Sequence, residues 1–204
     1  MTQNKIYPKI AITGGYASGK STACRFLKER GYLVFSADKI FSNLLRDEDF
    51  ILSIYKILDI SPTYYNSKLY YDRKLVSETL FCDGEKSIKL NEFTHKRVYE
   101  IIEELYETNK NRKIAFEIPL LFEGNKQSDF DYVIVIYRNL EDRIKFGALR
   151  DKITPEQAEL RIKNQIDYDN NPPSGHTYIY NNGSKADLKV EIERVIKEIE
   201  RSSS

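Results

Sequence analysis

Cysteine is scarce in this 204-residue chain and no charge of one sign prevails. The two cysteines, Cys24 on a helix and Cys82 at a turn, make neither a disulfide framework nor a metal-ligand cluster, so a reducing compartment is expected and both thiols are incidental. Thirty-two basic residues nearly cancel 31 acidic ones. No overall field therefore draws a long polyanion, a nucleic-acid partner is not expected, and any phosphate must be met locally. Long apolar runs are also missing. The longest, Tyr132 to Tyr137, is far short of a membrane span, and Met1 to Pro8 lacks the apolar core of a signal peptide. These absences, with no internal repeat, lead us to expect a cytoplasmic protein with no membrane partner. The length suits one large domain, or one domain with an inserted lobe.

What the chain does contain is a glycine loop between a short apolar run and a helical pattern. Gly14, Gly19, Lys20 and Ser21 fit G-x-x-x-x-G-K-[ST], the pattern of a phosphate-binding loop. Backbone N–H groups must approach an anion closely there, so side chains stay small. Lys20 would reach the β and γ phosphates, and Ser21 would offer its hydroxyl to Mg2+. The following helix adds the positive end of its dipole. Lys9 to Thr13 reads as the strand before the loop, and Ala23, Phe26 and Leu27 share one face of a helix that Gly31 ends.

Strand and helix then alternate. Tyr32 to Ser36 reads as a second strand and Ala37 to Leu45 as a helix, with Asp38 at their junction. Its carboxylate either compensates the helix dipole or points into a ligand crevice at the strand's carboxyl end. Residues 46–71 are tyrosine-rich and read as irregular. Helical spacing returns from Asp72 through Leu105 in several helices, with His95 at a junction between two of them. This segment looks like an inserted acceptor-side lobe. Lys113 to Ile118 and Asp131 to Tyr137 are continuous apolar strands of the buried parallel kind. Glu117 ends the first, where it belongs either to a magnesium–phosphate network or to a turn as an N–H acceptor.

Leu140 to Arg150 and Pro155 to Gln165 read as two helices rich in cations, among them Arg143, Arg150 and Arg161. Such charges either form a solvated face or belong to a lid that clamps migrating charge. Thr177 to Tyr180 is the last strand, Asn181 to Ser184 its turn, and Leu188, Ile192, Val195, Ile196 and Ile199 line one face of a closing helix whose tail, Ser202 to Ser204, should fray. The expected fold is a three-layer α/β fold with a mainly parallel sheet around a phosphate loop.

Several of these segments together resemble the dephospho-coenzyme A kinases, across most of the chain. Thr13 to Thr22 is similar to the family's TGGIGSGKST, and Phe35-Ser-Ala-Asp38 to its strand ending in D-A-D. Asp72-Arg-Lys-Leu75, Leu80-Phe81, Glu92 to His95, Glu117 to Glu123 and Asn181 to Ser184 are similar to further family segments. Ser36, Lys96, Phe146 and Tyr180 depart from the usual family residues. The resemblance implies ATP-dependent phosphorylation of the ribose 3′-hydroxyl of dephospho-coenzyme A, the last step of coenzyme A synthesis. It implies that Gly15, Ala17, Ser18, Gly19, Lys20, Ser21, Thr22, Arg150 and Asn182 bind ATP, with Mg2+ on Ser21. Asp38, Lys20 and Arg150 would serve catalysis, and Asp38, Glu117, Leu120 and Arg161 would meet the acceptor. A single kinase domain acting as a monomer is then expected, with a core over about 7–45, 112–140 and 176–201, an insertion over about 46–111 and a lid over about 141–170. The rival readings are another nucleoside or nucleotide kinase, and an ATP-binding regulator that moves no phosphate.

Overall fold

The structure is a computed structural model that describes residues 5–202. It divides into two compact units, one made of the described residues up to Ser36 with those from Tyr106 onward, the other of Ala37–Leu105. The second unit begins at Ala37 and ends at Leu105, each a few residues earlier than the corresponding bound of the insertion expected over about 46–111.

In the first unit, β1 (Lys9–Thr13), β2 (Leu33–Ser36), β5 (Ile114–Glu117), β6 (Tyr132–Tyr137) and β7 (Thr177–Tyr180) form one sheet in the order β2-β5-β1-β6-β7. Every pairing is parallel. All five residues of β1 are buried, and successive side chains of a strand point to opposite faces, so both faces of the sheet are covered. On one face Ile10 and Ile12 join Leu27 of α1 (Lys20–Glu29) and Ile192 and Ile196 of α8 (Lys185–Ser202) in a continuous core. The five apolar positions expected to line the closing helix are all buried. Ser203 and Ser204, expected to fray, lie outside the described residues. Burial pushes the Cys24 thiol up to about 12, so it packs as a protonated apolar group, and both cysteines are free. Among the described residues no helix is long and apolar enough to cross a membrane.

The second unit corrects two expectations. Residues 46–71 are not irregular: they hold α3 (Glu48–Leu58) and a hairpin of β3 (Thr63–Tyr65) and β4 (Lys68–Tyr70). Asp47 caps α3 by accepting the N–H groups of Asp49 and Phe50, and Phe50, Ile51, Ile54, Tyr55 and Leu58 form its buried stripe. The hairpin turns on Asn66 and Ser67, both at positive φ, as a two-residue turn matched to strand twist requires. His95 marks no junction. It lies exposed within α5 (Gly84–Asn109), a continuous helix that follows α4 (Arg73–Cys82).

Tyr55 is 1% exposed, and its hydroxyl donates to the Tyr70 carbonyl at 2.7 Å and accepts the Asp72 N–H at 3.1 Å. One side chain thus ties α3 to the end of the hairpin and the start of α4. Tyr55→Phe keeps the ring but loses both bonds, which is expected to cost about 1–2 kcal/mol and lower the thermal midpoint by roughly 2–8 °C. Thermal unfolding followed by circular dichroism checks this, and an unchanged midpoint would show that the hydroxyl carries no stability.

Candidate active site

β1 delivers the chain into the loop Gly14–Gly19, and α1 leaves it at Lys20. Gly14 has a φ of +136°, and a Cβ there would collide with the carbonyl of Ile136 on β6. Gly19 has a φ of +104°, and a Cβ there would run into the side-chain amide of Asn181. The loop therefore hugs the neighbouring strands as only glycine permits. The Nζ of Lys20 arches back over it, donating to the carbonyls of Gly14 at 2.8 Å and Gly15 at 2.9 Å. Lys20 and Ser21 open α1, where the positive end of the helix dipole lies.

The Ser21 hydroxyl donates to Glu117 Oε1 at 3.0 Å. Glu117 ends β5, level with Ile12 on one side and Ser36 on the other, at the carboxyl edge of the sheet where ligands of open α/β folds bind. Of the two roles open to Glu117, the bond to Ser21 favours the network around the loop over the isolated turn. Leu120 is 43% exposed in the turn beyond β5. Ser18 is fully buried and its N–H bonds the Gly15 carbonyl, while Ala17 holds a positive φ and Thr22 is half-buried on the first turn of α1.

Asn181 was not singled out from sequence, yet it fixes the loop. Its buried amide donates to the Ser18 carbonyl at 2.8 Å, its backbone N–H bonds the Tyr137 carbonyl, and its own carbonyl accepts Arg138 Nε at 2.7 Å. The adjacent Asn182 is exposed and accepts the Asn139 N–H at 3.0 Å. Arg143, inside α6 (Leu140–Asp151), is 2% exposed and pairs with Asp169. A Cβ on Gly15 would press against the Arg143 guanidinium, so this arginine backs the loop from within the protein.

Arg150 and Arg161 converge. Arg150 binds Asp151 through Nε at 2.7 Å, and Arg161 of α7 (Pro155–Lys163) reaches the same carboxylate. The Arg150 bond foremost, then one from the Tyr16 hydroxyl, and the charges of the two arginines hold the Asp151 carboxyl well below the usual carboxylate range. The Thr154–Gln157 capping box starts α7 with Pro155 at its first position.

Asp38 lies in the other unit, in the first turn of α2 (Ala37–Leu44), two residues past the end of β2. It is exposed and lines an open cavity of about 320 Å3 with Phe41, Ser42, Leu45, Tyr71 and Arg73. A carboxylate, a guanidinium and a phenol around one apolar floor suit a polar organic ligand. The dipole role remains open to Asp38 as well, because it does occupy a first helical turn.

Comparison with known proteins adds the substrate class. The chain is 35% identical over 195 residues to a dephospho-CoA kinase of Fusobacterium nucleatum, covering 93% of this chain and 97% of the relative. A solved dephospho-CoA kinase of Campylobacter jejuni is 31% identical with a TM-score of 0.70, over 96% of this chain and 98% of that one. A Thermus thermophilus crystal structure, 24% identical over 95% of this chain and 98% of its own, shares the fold with a TM-score of 0.80. Residues 9–187 match the family model described as dephospho-CoA kinase, and with a complete phosphate loop at its start the chain belongs to that family.

Proposed function

We propose that this chain transfers the γ-phosphoryl group of ATP to the ribose 3′-hydroxyl of dephospho-coenzyme A, giving coenzyme A and ADP. The observation that carries this reading is the match of residues 9–187 to one kinase family, with the whole phosphate loop inside it. In the proposed arrangement the loop from Gly15 to Thr22 cradles the triphosphate with backbone N–H groups, and Lys20 neutralises charge between the β and γ phosphates. Arg150 stabilises the charge that builds on the transferred group, and Arg161 meets the acceptor beside Glu117 and Leu120. Asn182 lies next to adenine, and Asp38 receives or orients the acceptor's hydroxyl proton. Residues 141–170 act as the lid, and the inserted helices as the acceptor-side lobe of one kinase domain.

The donor set fits magnesium brought in by the nucleotide. Among the described residues no group of three or more His, Cys, Asp or Glu side chains could hold a metal ion. The Ser21 hydroxyl, 3.0 Å from Glu117 Oε1, supplies one protein oxygen, and magnesium bound through few protein ligands takes the rest from phosphates and water. Bound there, Mg2+ would neutralise charge on the phosphate oxygens.

An ADP-release assay with ATP and dephospho-coenzyme A, adenosine, AMP or shikimate tests the acceptor. Release with dephospho-coenzyme A alone is expected; preference for another acceptor would assign a different kinase, and no turnover with any would favour an ATP-binding regulator. Lys20→Ala is expected to lose about a hundredfold in kcat, the effect of removing roughly 3 kcal/mol of transition-state stabilisation, and near-parental turnover would contradict its role.

For Asp38→Asn, loss of general-base help predicts a kcat lowered by about 10² to 10⁴ with ATP affinity little changed. The helix-dipole role predicts instead a stability loss of about 0.3–1 kcal/mol with turnover intact. Measuring kcat, ATP binding and thermal midpoint on this variant separates the two.

A further inference from the structure

Tyr16 is the one large side chain in a loop whose other positions are small, and the family motif TGGIGSGKST carries isoleucine at its place. Its hydroxyl donates to Asp151 Oδ2 at 2.6 Å and lies 3.3 Å from the Gly147 carbonyl. Its ring occupies the space that a Cβ on Gly147 would need, so the ring sits flush on α6. The Arg150 guanidinium stands 4.9 Å from the ring centroid and that of Arg161 5.7 Å. The Tyr16 backbone N–H donates to Gln165, just beyond α7. One loop residue thus touches α6, both lid arginines and the end of the lid.

Asp151 completes the arrangement. Its Oδ1 accepts Arg150 Nε at 2.7 Å, while its Oδ2 accepts the second Arg150 nitrogen at 3.2 Å, Arg161 and Tyr16. A guanidinium carries five N–H donors in a rigid fork, so a carboxylate that takes one or two of them fixes the fork and leaves others for phosphate oxygens. Two cations against one carboxylate also leave one positive charge for an anion. Both arginine side chains keep more than half of their exposure, at 57% and 51%.

We propose that Tyr16 and Asp151 are positioning residues that tether the lid arginines to the phosphate loop, so that Arg150 is held ready for the transferred phosphoryl group and Arg161 for the acceptor before either arrives. The tether couples the loop to the lid through the phenol hydroxyl. It rests on the kinase reading above for the arginines' purpose, but the tether itself is a property of the ligand-free protein.

Tyr16→Phe, Asp151→Asn and the double variant test it, since phenylalanine keeps the ring against Gly147 and removes only the hydroxyl. Hydrogen exchange of the ligand-free protein over residues 147–165 should quicken in Tyr16→Phe. In turnover with ATP and dephospho-coenzyme A, Tyr16→Phe should lower kcat about five- to tenfold, the effect of one ordinary hydrogen bond. Asp151→Asn should lower it at least as much. ATP affinity, set mainly by Lys20 and the loop, should stay within about twofold. The double variant should lose no more than Asp151→Asn alone, because the two residues act through one contact. Parental exchange rates in Tyr16→Phe would overturn the tether whether or not the protein turns over. So would parental kcat in an active parent, or a fall in thermal midpoint with exchange over 147–165 and kcat unchanged. Failure of the parent itself to phosphorylate dephospho-coenzyme A would overturn the kinase reading instead, leaving the exchange measurement to decide the tether.

Discussion

A buried bond between the Asn181 amide and the Ser18 carbonyl joins the two ends of this chain at its functional loop. A phosphate loop turns its N–H groups toward a ligand, which leaves its carbonyls to be satisfied from behind. Asn181 supplies one such donor and the Lys20 ammonium supplies two more bonds. Each donor has a fixed origin: Asn181 is placed by β7 through its N–H bond to Tyr137, and Lys20 by the start of α1. Remove the parallel pairing of β6 with β7 and the loop loses its rear support. The sheet order thus matters to chemistry carried out two strands away.

The same division between front and rear explains the crowding around the glycines. Gly14 has the Ile136 carbonyl against it, Gly15 the Arg143 guanidinium, and Gly19 the Asn181 amide. Arg143 is a cation that never reaches solvent, neutralised by Asp169, which Tyr137 also holds at 2.8 Å. Paired in this way it supports the loop from behind without adding net charge, while Arg150 and Arg161, two cations on the one Asp151 carboxylate, leave positive charge for an incoming anion.

The loop, β1, β7 and the buried face of α8 were legible in the sequence because each rests on local spacing. So was the end of β5, where a glutamate closes an apolar strand. The cap-and-stripe pattern of α3 was present in Asp47, Phe50, Ile54 and Leu58 but was hidden by the tyrosines around it, and the hairpin turn used Asn66-Ser67 where Asn-Gly would have announced it. Asn181 and Asp151 were not legible as site residues, because a donor behind a loop and an anchor for arginines are defined by partners far along the chain. Tyr16 meets Asp151 across 135 positions, a distance over which no periodicity speaks. Asp38 was legible as a carboxylate after a strand, and its two readings share that one position.

The central strand β1 has β5 and β6 for neighbours, both from the second half of the chain. During synthesis at roughly 5–20 residues per second, β1 leaves the ribosome several seconds or more before any partner exists to pair with it. Its apolar run Lys9–Thr13 and the adjoining loop must stay unpaired through that interval, whereas Ala37–Leu105 holds its own helices and hairpin in one contiguous stretch. The setting of the phosphate loop therefore waits on β5 and β6, so the part of the chain made first is completed by strands made more than a hundred residues later.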